Sequence, residues 1–246
     1  MIRIKKYQRI SSIVAEVLSY SAIYLPCGRD PDFERARVTA IWSPAGGVGK
    51  TAVALAYAAK VVSEGKQALY LDLEPFSSVP VYFNETGRSI SAIFEMLENG
   101  EGNVKMLIRS TSQQDFGGIK YFCKPDNYDD INILSAENIE KLTNACAGVT
   151  DELVIDMSCV CDERARRVFS LADKVFLVVD QSAASQIKMN QFASQHSDFL
   201  QIKDKVTLVA NKGAAINVPF VETIVSLPFV KSTDRLEVYQ TMSAGF

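Results

Sequence analysis

A chain of 246 residues, 48% apolar and 22% charged, has material for one sizeable core or for a domain with a small appendage. Its 26 Lys and Arg against 29 Asp and Glu give a formal charge of −3, which excludes an overall field that gathers nucleic acid or anionic lipid. The 5 cysteines are odd in number and irregularly spaced in a chain too large to depend on disulfides, so reduced thiols in the cytoplasm fit best.

Residues 1–36 stand apart. A short basic start (Arg3, Lys5, Lys6, Arg9) precedes Ile10, Ile13, Val14, Val17 and Leu18, which fall at i, i+3, i+4, i+7 and i+8, the apolar stripe of a helix. The polar "CGRDPDFERAR" after it reads as a linker. The stripe either docks on the domain that follows or ends another domain. No apolar run is long enough to span a membrane, and no apolar stretch with a small-residue cleavage site marks a secretory signal.

From Arg37 to the end, short apolar runs alternate with helical patterns, and the runs end in Gly, Ser, Asp or Asn. That predicts an α/β fold, a doubly wound, mostly parallel sheet with helices on both faces, over residues 37–246. The expected strands are Val38–Trp42, Ala68–Leu71, Leu153–Ile155, Val175–Val179, Val206–Ala210 and Thr223–Leu227. "TAVALAYAAKVVSEG" is a rich helix former with Gly65 as its stop. Between residues 75 and 150, helices are expected near Ile90–Leu97 and Ala136–Ala147 and a strand near Ile119–Cys123, with loops elsewhere. The basic group Arg164, Arg166 and Arg167 in "DERARRVF" is interleaved with acidic and apolar residues, so it reads as a solvated face. A zinc site is not expected, because Cys159 and Cys161 are one residue apart and His196 is the lone imidazole.

The chemistry concentrates in "SPAGGVGKT", which follows an apolar strand and opens a helix. Gly46, Gly47, Val48 and Gly49 can turn backbone amides toward phosphate oxygens, and the helix start through Ala52 adds its dipole. Lys50 would bridge the β- and γ-phosphates and act in catalysis, and Thr51 would offer its hydroxyl to Mg²⁺. Asp72 and Asp156 end two predicted strands at the sheet edge where the loop lies. Asp156 fits an acid that fixes the metal's hydration shell; Asp72 could orient the attacking water or another metal-bound water. Either Asp alone could equally be a cap or a strand terminator.

These stretches resemble the MinD/ParA group of P-loop ATPases, whose phosphate loop is deviant. The family pattern Gly-Lys-Gly-Gly-x-Gly-Lys-[Ser/Thr], then Asp-x-Asp-Pro, then a strand-end Asp and a late Asn, is matched by "PAGGVGKT", "DLEP", "VID" and "VANK". The resemblance covers residues 37–230. It implies ATP and Mg²⁺ as cofactors, a homodimer formed across the nucleotide, and a base site made of Asn211 with Pro228 and Phe229 in "SLPF". Within the group the chain looks most like the TadZ/CpaE proteins that place the tight-adherence (Flp) pilus machinery, and "IKKYQRISSIVAEVL" looks like the end of their receiver-like domain. That implies pilus and secretion-machinery partners, and a position at the inner face of the membrane or the cell pole held through them.

Two departures matter. The family's signature Lys, which acts on the partner's nucleotide, is Ala45 here, and the first loop glycine is Pro44, which stiffens the loop's entry and lacks an amide donor. The expected outcome is ATP binding and ATP-dependent dimerisation with slow or undetectable turnover. A cycling ParA-like partition ATPase is the alternative, but DNA binding is not encouraged by the charge balance. A MinD-like membrane ATPase would need a basic amphipathic C-terminal helix, and "DRLEVYQTMSAGF" has too few apolar and basic positions. The nitrogenase-reductase branch would need paired cysteines that Cys159 and Cys161 do not match.

Overall fold

A computed structural model describes residues 36–246 apart from 101, 196, 215–220, 222 and 233, and of the first 35 residues only Val17. The basic start, most of the apolar stripe, the linker and His196 therefore lie outside the described residues.

The strands are β1 (Arg37–Trp42), β2 (Ala68–Asp72), β3 (Gln113–Gln114), β4 (Lys120–Tyr121), β5 (Glu152–Asp156), β6 (Lys174–Val179), β7 (Val206–Ala210) and β8 (Ile224–Ser226). They form one sheet in the order β3-β4-β2-β5-β1-β6-β7-β8, parallel throughout except for the β3/β4 pair. The six long apolar runs read from the sequence are all strands. β2, β5 and β7 are buried at every position, as strands covered on both faces must be.

The helices are α1 (Lys50–Ser63), α2 (Val79–Tyr82), α3 (Ser91–Asn99), α4 (Val104–Thr111), α5 (Asp129–Asn132), α6 (Ala136–Ala147), α7 (Glu163–Leu171), α8 (Ala183–Gln195), α9 (Ser197–Ile202) and α10 (Arg235–Ser243). Strand alternation divides the core in two. Val38, Ala40 and Trp42 of β1 face a core closed by α3, α4, α6, α7 and α8, whereas Ile41 faces one closed by α1 and α10. Trp42 meets Phe169 edge-on at 5.4 Å and Phe192 at 4.6 Å. On the other face Tyr57 and Phe176 meet edge-on at 4.9 Å.

Residues 75–150 hold more structure than the sequence reading expected, and the reason is that the supposed breakers are caps. Asn103 accepts the Met106 amide at 3.1 Å and starts α4, and Gly100 at φ 72° ends α3. α2, α4, α5 and β3 were expected to be loop. The strand near Ile119–Cys123 shrinks to Lys120–Tyr121, which pairs antiparallel with β3, and Cys123 retains a single bridge to Ser89. β8 spans Ile224–Ser226, shorter than expected, although the Leu227 amide still donates to Ala210 at 2.8 Å.

The basic "DERARRVF" group is the first turns of α7. Arg164 contacts Asp162 at 2.7 Å, Arg166 contacts Asp198 at 2.9 Å and Arg167 contacts Glu140 at 3.5 Å. Each cation already has an acidic partner within the chain, which agrees with an ordinary surface face. At the other end, α10 is N-capped by Asp234 and buries Tyr239 and Met242 in the α1 core. Among the described residues no helix is long and apolar enough to cross a membrane.

Candidate functional site

β1 is the central strand, flanked by β5 and β6, so the loop that leaves it emerges where the strand order turns from one side of the sheet to the other. Such a switch point leaves a crevice at the carboxyl ends of the strands, the place where open α/β sheets take ligands. The loop Ser43–Gly49 occupies that crevice and runs into α1.

Its glycines are required by conformation and by space. Gly47 and Gly49 have φ of 75° and 94°, a region disfavoured for side chains, and a Cβ on Gly49 would lie 2.5 Å from Asn211 Nδ2. Gly46 and Gly47 are exposed, with nothing within 4 Å of where a Cβ would stand. Val48 points the other way and is buried, which anchors the loop from below. Gly49 caps α1 in the left-handed conformation without a side-chain bond, so the first helical amides at Lys50, Thr51 and Ala52 remain available to an anion.

Lys50 is 6% exposed, and its Nζ lies 2.9 Å from Glu74 Oε1. Glu74 was not singled out as a site residue in the sequence, although it sits inside the quoted "DLEP". The signal was there: it is the second acid of an acidic pair at a strand end.

Asp72 and Asp156 end β2 and β5 and stand directly opposite one another in register. Asp72 accepts from the Ser77 hydroxyl at 2.6 Å and the Glu74 amide at 2.8 Å. Asp156 is fully buried and accepts from the Tyr70 hydroxyl at 2.9 Å through Oδ2, whereas its Oδ1 has no hydrogen bond of good geometry. Burial, and then the charge of Asp156, pushes the Asp72 carboxyl well above the usual carboxylate range. Burial also raises Asp156, against the opposing pull of the nearby Thr51 hydroxyl. Two buried carboxyls side by side with one orphaned oxygen suit a divalent cation, which would relieve both the repulsion and the missing contact. Two carboxyls and one hydroxyl are few ligands, as expected for Mg²⁺, which usually keeps waters and substrate phosphate oxygens in its shell.

Asn211 follows β7 and is 3% exposed; its Nδ2 donates to the Val48 carbonyl at 2.8 Å. The structure thus brings it to the loop backbone. Pro228 and Phe229 are exposed, and Gly213 joins their loop by donating to Leu227 at 2.9 Å. The loop Gly46–Gly49, Asp72, Asp156 and Asn211 therefore all lie at the carboxyl ends of β1, β2, β5 and β7. Ala45 is 4% exposed and packed with the α1 core, and its amide donates to Ser43 Oγ at 3.1 Å. Cys161 turns its thiol toward Asp198 at 3.6 Å, and Cys159 is exposed.

Neither a family model nor a curated protein matches the chain. Solved structures do. The ParA family ATPase from Chlorobium tepidum superposes with a TM-score of 0.66 at 16% identity, over 84% of this chain and 90% of that one. MinD from Pyrococcus horikoshii, complexed with Mg-ADP, gives 0.62 at 11% identity over 85% and 94%. Cobyrinic acid a,c-diamide synthase from Mycobacterium smegmatis, with a bound ATP analog and magnesium, gives 0.62 at 16% identity over 85% and 93%. The fold is that of the ParA and MinD ATPases. A scaffold shared by a ParA family ATPase, a septum site-determining protein and a diamide synthase leaves the function to be argued from the site.

Proposed function

We propose that this chain binds ATP with Mg²⁺ in the loop Ser43–Thr51 and serves as an ATP-gated dimeric scaffold that recruits protein partners, with slow or absent hydrolysis. The observation that carries the nucleotide reading is the buried Lys50 at the head of α1, beside the in-register carboxyls of Asp72 and Asp156. Lys50 would leave Glu74 for the phosphates, and the amides of Gly46 through Ala52 would surround them. Thr51 and Asp156 would hold the metal and its hydration shell, and Asp72 a water beside it. Bound Mg²⁺ would neutralise the phosphate charge. Asn211 and the Pro228–Phe229 loop would border the base.

The slow turnover rests on Ala45. A cation supplied in trans to a transferring phosphoryl group is worth on the order of 10³–10⁵ in rate, and here the residue is a buried methyl. The resemblance to TadZ/CpaE proteins points to pilus and secretion machinery as the partners. The likeness of fold to a ParA family ATPase favours a second reading, a cycling ATPase of partition or site placement.

Molecular mass in solution with ATP, with ADP and without nucleotide, beside Lys50→Ala, tests the scaffold. Doubling with ATP alone, lost in Lys50→Ala, is the expected result, and mass independent of nucleotide would refute the gated dimer. Rapid turnover with an ATP-dependent shift of DNA would favour the cycling reading instead.

A further inference from the structure

Lys212 is the only residue other than glycine with a positive φ, 59°, among the described residues. A side chain held in that region implies a local constraint worth explaining. Its ammonium donates to the Gly47 carbonyl at 2.9 Å and to Asp180 Oδ2 at 2.9 Å. Asp180, at the end of β6, is itself fixed through Oδ1 by the Ser182 hydroxyl at 2.6 Å and the Ser182 amide at 3.1 Å. Beside it, Asn211 Nδ2 donates to Val48 O at 2.8 Å, while Asn211 Oδ1 accepts the Lys212 amide at 2.9 Å. Two consecutive carbonyls of the phosphate loop are therefore held from the β6 and β7 ends.

A trans peptide is planar, with its C=O and the following N–H pointing to opposite sides, and the described chain has no cis bond. Holding the Gly47 carbonyl against Lys212 aims the Val48 N–H away from Lys212. Holding the Val48 carbonyl against Asn211 does the same for the Gly49 N–H. We propose that Lys212, fixed by Asp180, is a positioning residue that orients the loop amides for phosphate before any nucleotide arrives. Two of its three ammonium donors are engaged by Gly47 and Asp180, so its contact in the nucleotide-free chain is with the loop backbone. The inference rests on the nucleotide reading above for its consequence, but the clamp itself is a property of the nucleotide-free chain.

The variants are Lys212→Met, which retains the Cβ and stem and so leaves the backbone strain as it is, Lys212→Arg, which retains the cation, and Asp180→Asn. Backbone order parameters are read by NMR in nucleotide-free protein, and Mg-ATP and Mg-ADP affinity by calorimetry. Lys212→Met is expected to lower the order parameters of Val48 and Gly49 from the rigid range of about 0.85 to below about 0.6 and to weaken both nucleotides about ten- to a hundredfold. Asp180→Asn should do so to a lesser degree, and Lys212→Arg should retain most of the rigidity. Unchanged order parameters at Val48 and Gly49 would overturn the proposal, and weakened binding beside them would place Lys212 on the ligand instead. Wild-type protein that binds neither nucleotide would sink the nucleotide reading, while the comparison of order parameters would still decide the clamp.

Discussion

Glu74 occupies Lys50 at 2.9 Å, so an anion from the chain itself stands where a phosphate is expected to go. Asp156 lies close enough for its charge to feel both Glu74 and Lys50, so a triphosphate entering here would need a metal ion beside Lys50 to offset the acids. Glu74→Gln removes both the competitor and one negative charge. It is expected to tighten Mg-ADP about three- to tenfold, about 0.6–1.4 kcal/mol, the surplus of an ion pair over the neutral hydrogen bond that Gln retains. Calorimetry checks this, and weaker binding would mean that Glu74 helps to hold the ligand. Another buried acid lies at the opposite end of the sheet. Glu152 accepts from the Thr39 hydroxyl at 2.6 Å and the Tyr57 hydroxyl at 3.3 Å. Burial raises its carboxyl above the ordinary range. The folded protein therefore holds this proton at pH values where the unfolded chain, with a pKa of about 4.3, has released it. Stability from this group falls as pH rises from the unfolded value through the raised folded one. Relative to wild type, Glu152→Gln should gain stability between acid and alkaline pH and match it at the acid end. Urea midpoints across pH measure the gap, and a gap constant with pH would contradict the assignment.

At the scale of elements, the long strands and α1 were legible because their signals are local: apolar runs, a glycine stop, a helix-forming stretch. The short elements between residues 75 and 150 were not, because Asn103 and Gly100 break one pattern and cap another, and only the neighbouring structure tells which. α7 shows the same chemistry where the cap is strong. Asp162 accepts the Ala165 amide at 3.0 Å and pairs with Arg164, whose other nitrogen donates to the Ile131 carbonyl at 2.7 Å. Asp162→Ala should cost about 1–2 kcal/mol for the lost cap, which lowers the melting temperature by about 2–4 °C per kcal/mol in a chain of this size. A thermal melt unchanged by the substitution would show that α7 is held by packing alone.

Across the whole molecule, β1 separates two cores and leads straight into the loop proposed to take phosphate, so folding and the proposed nucleotide binding would be joined through one strand. Trp42, the single tryptophan, ends that strand, is 1% exposed and donates through Nε1 to Val160 at 3.4 Å. Its emission should be blue-shifted in the folded protein and move to the red in one transition that coincides with loss of helix. Saturating Mg-ATP should shift that transition upward, by about 2.7 kcal/mol at a hundredfold excess over Kd, and Lys50→Ala should abolish the shift. Separate transitions by fluorescence and circular dichroism would show that the two cores unfold independently.

The sequence by itself determined the long strands and the helix behind the loop, and it supplied the candidate residues for phosphate binding, since each of these depends on neighbours a few positions apart. It could not determine that Asp72 lies opposite Asp156, that Glu74 holds Lys50, or that Lys212 reaches back to Gly47. Those contacts arise from the order of strands in the sheet, with β2 beside β5 and both β5 and β6 flanking β1. That order is set by which apolar faces pack together across the whole chain, and no local pattern records it.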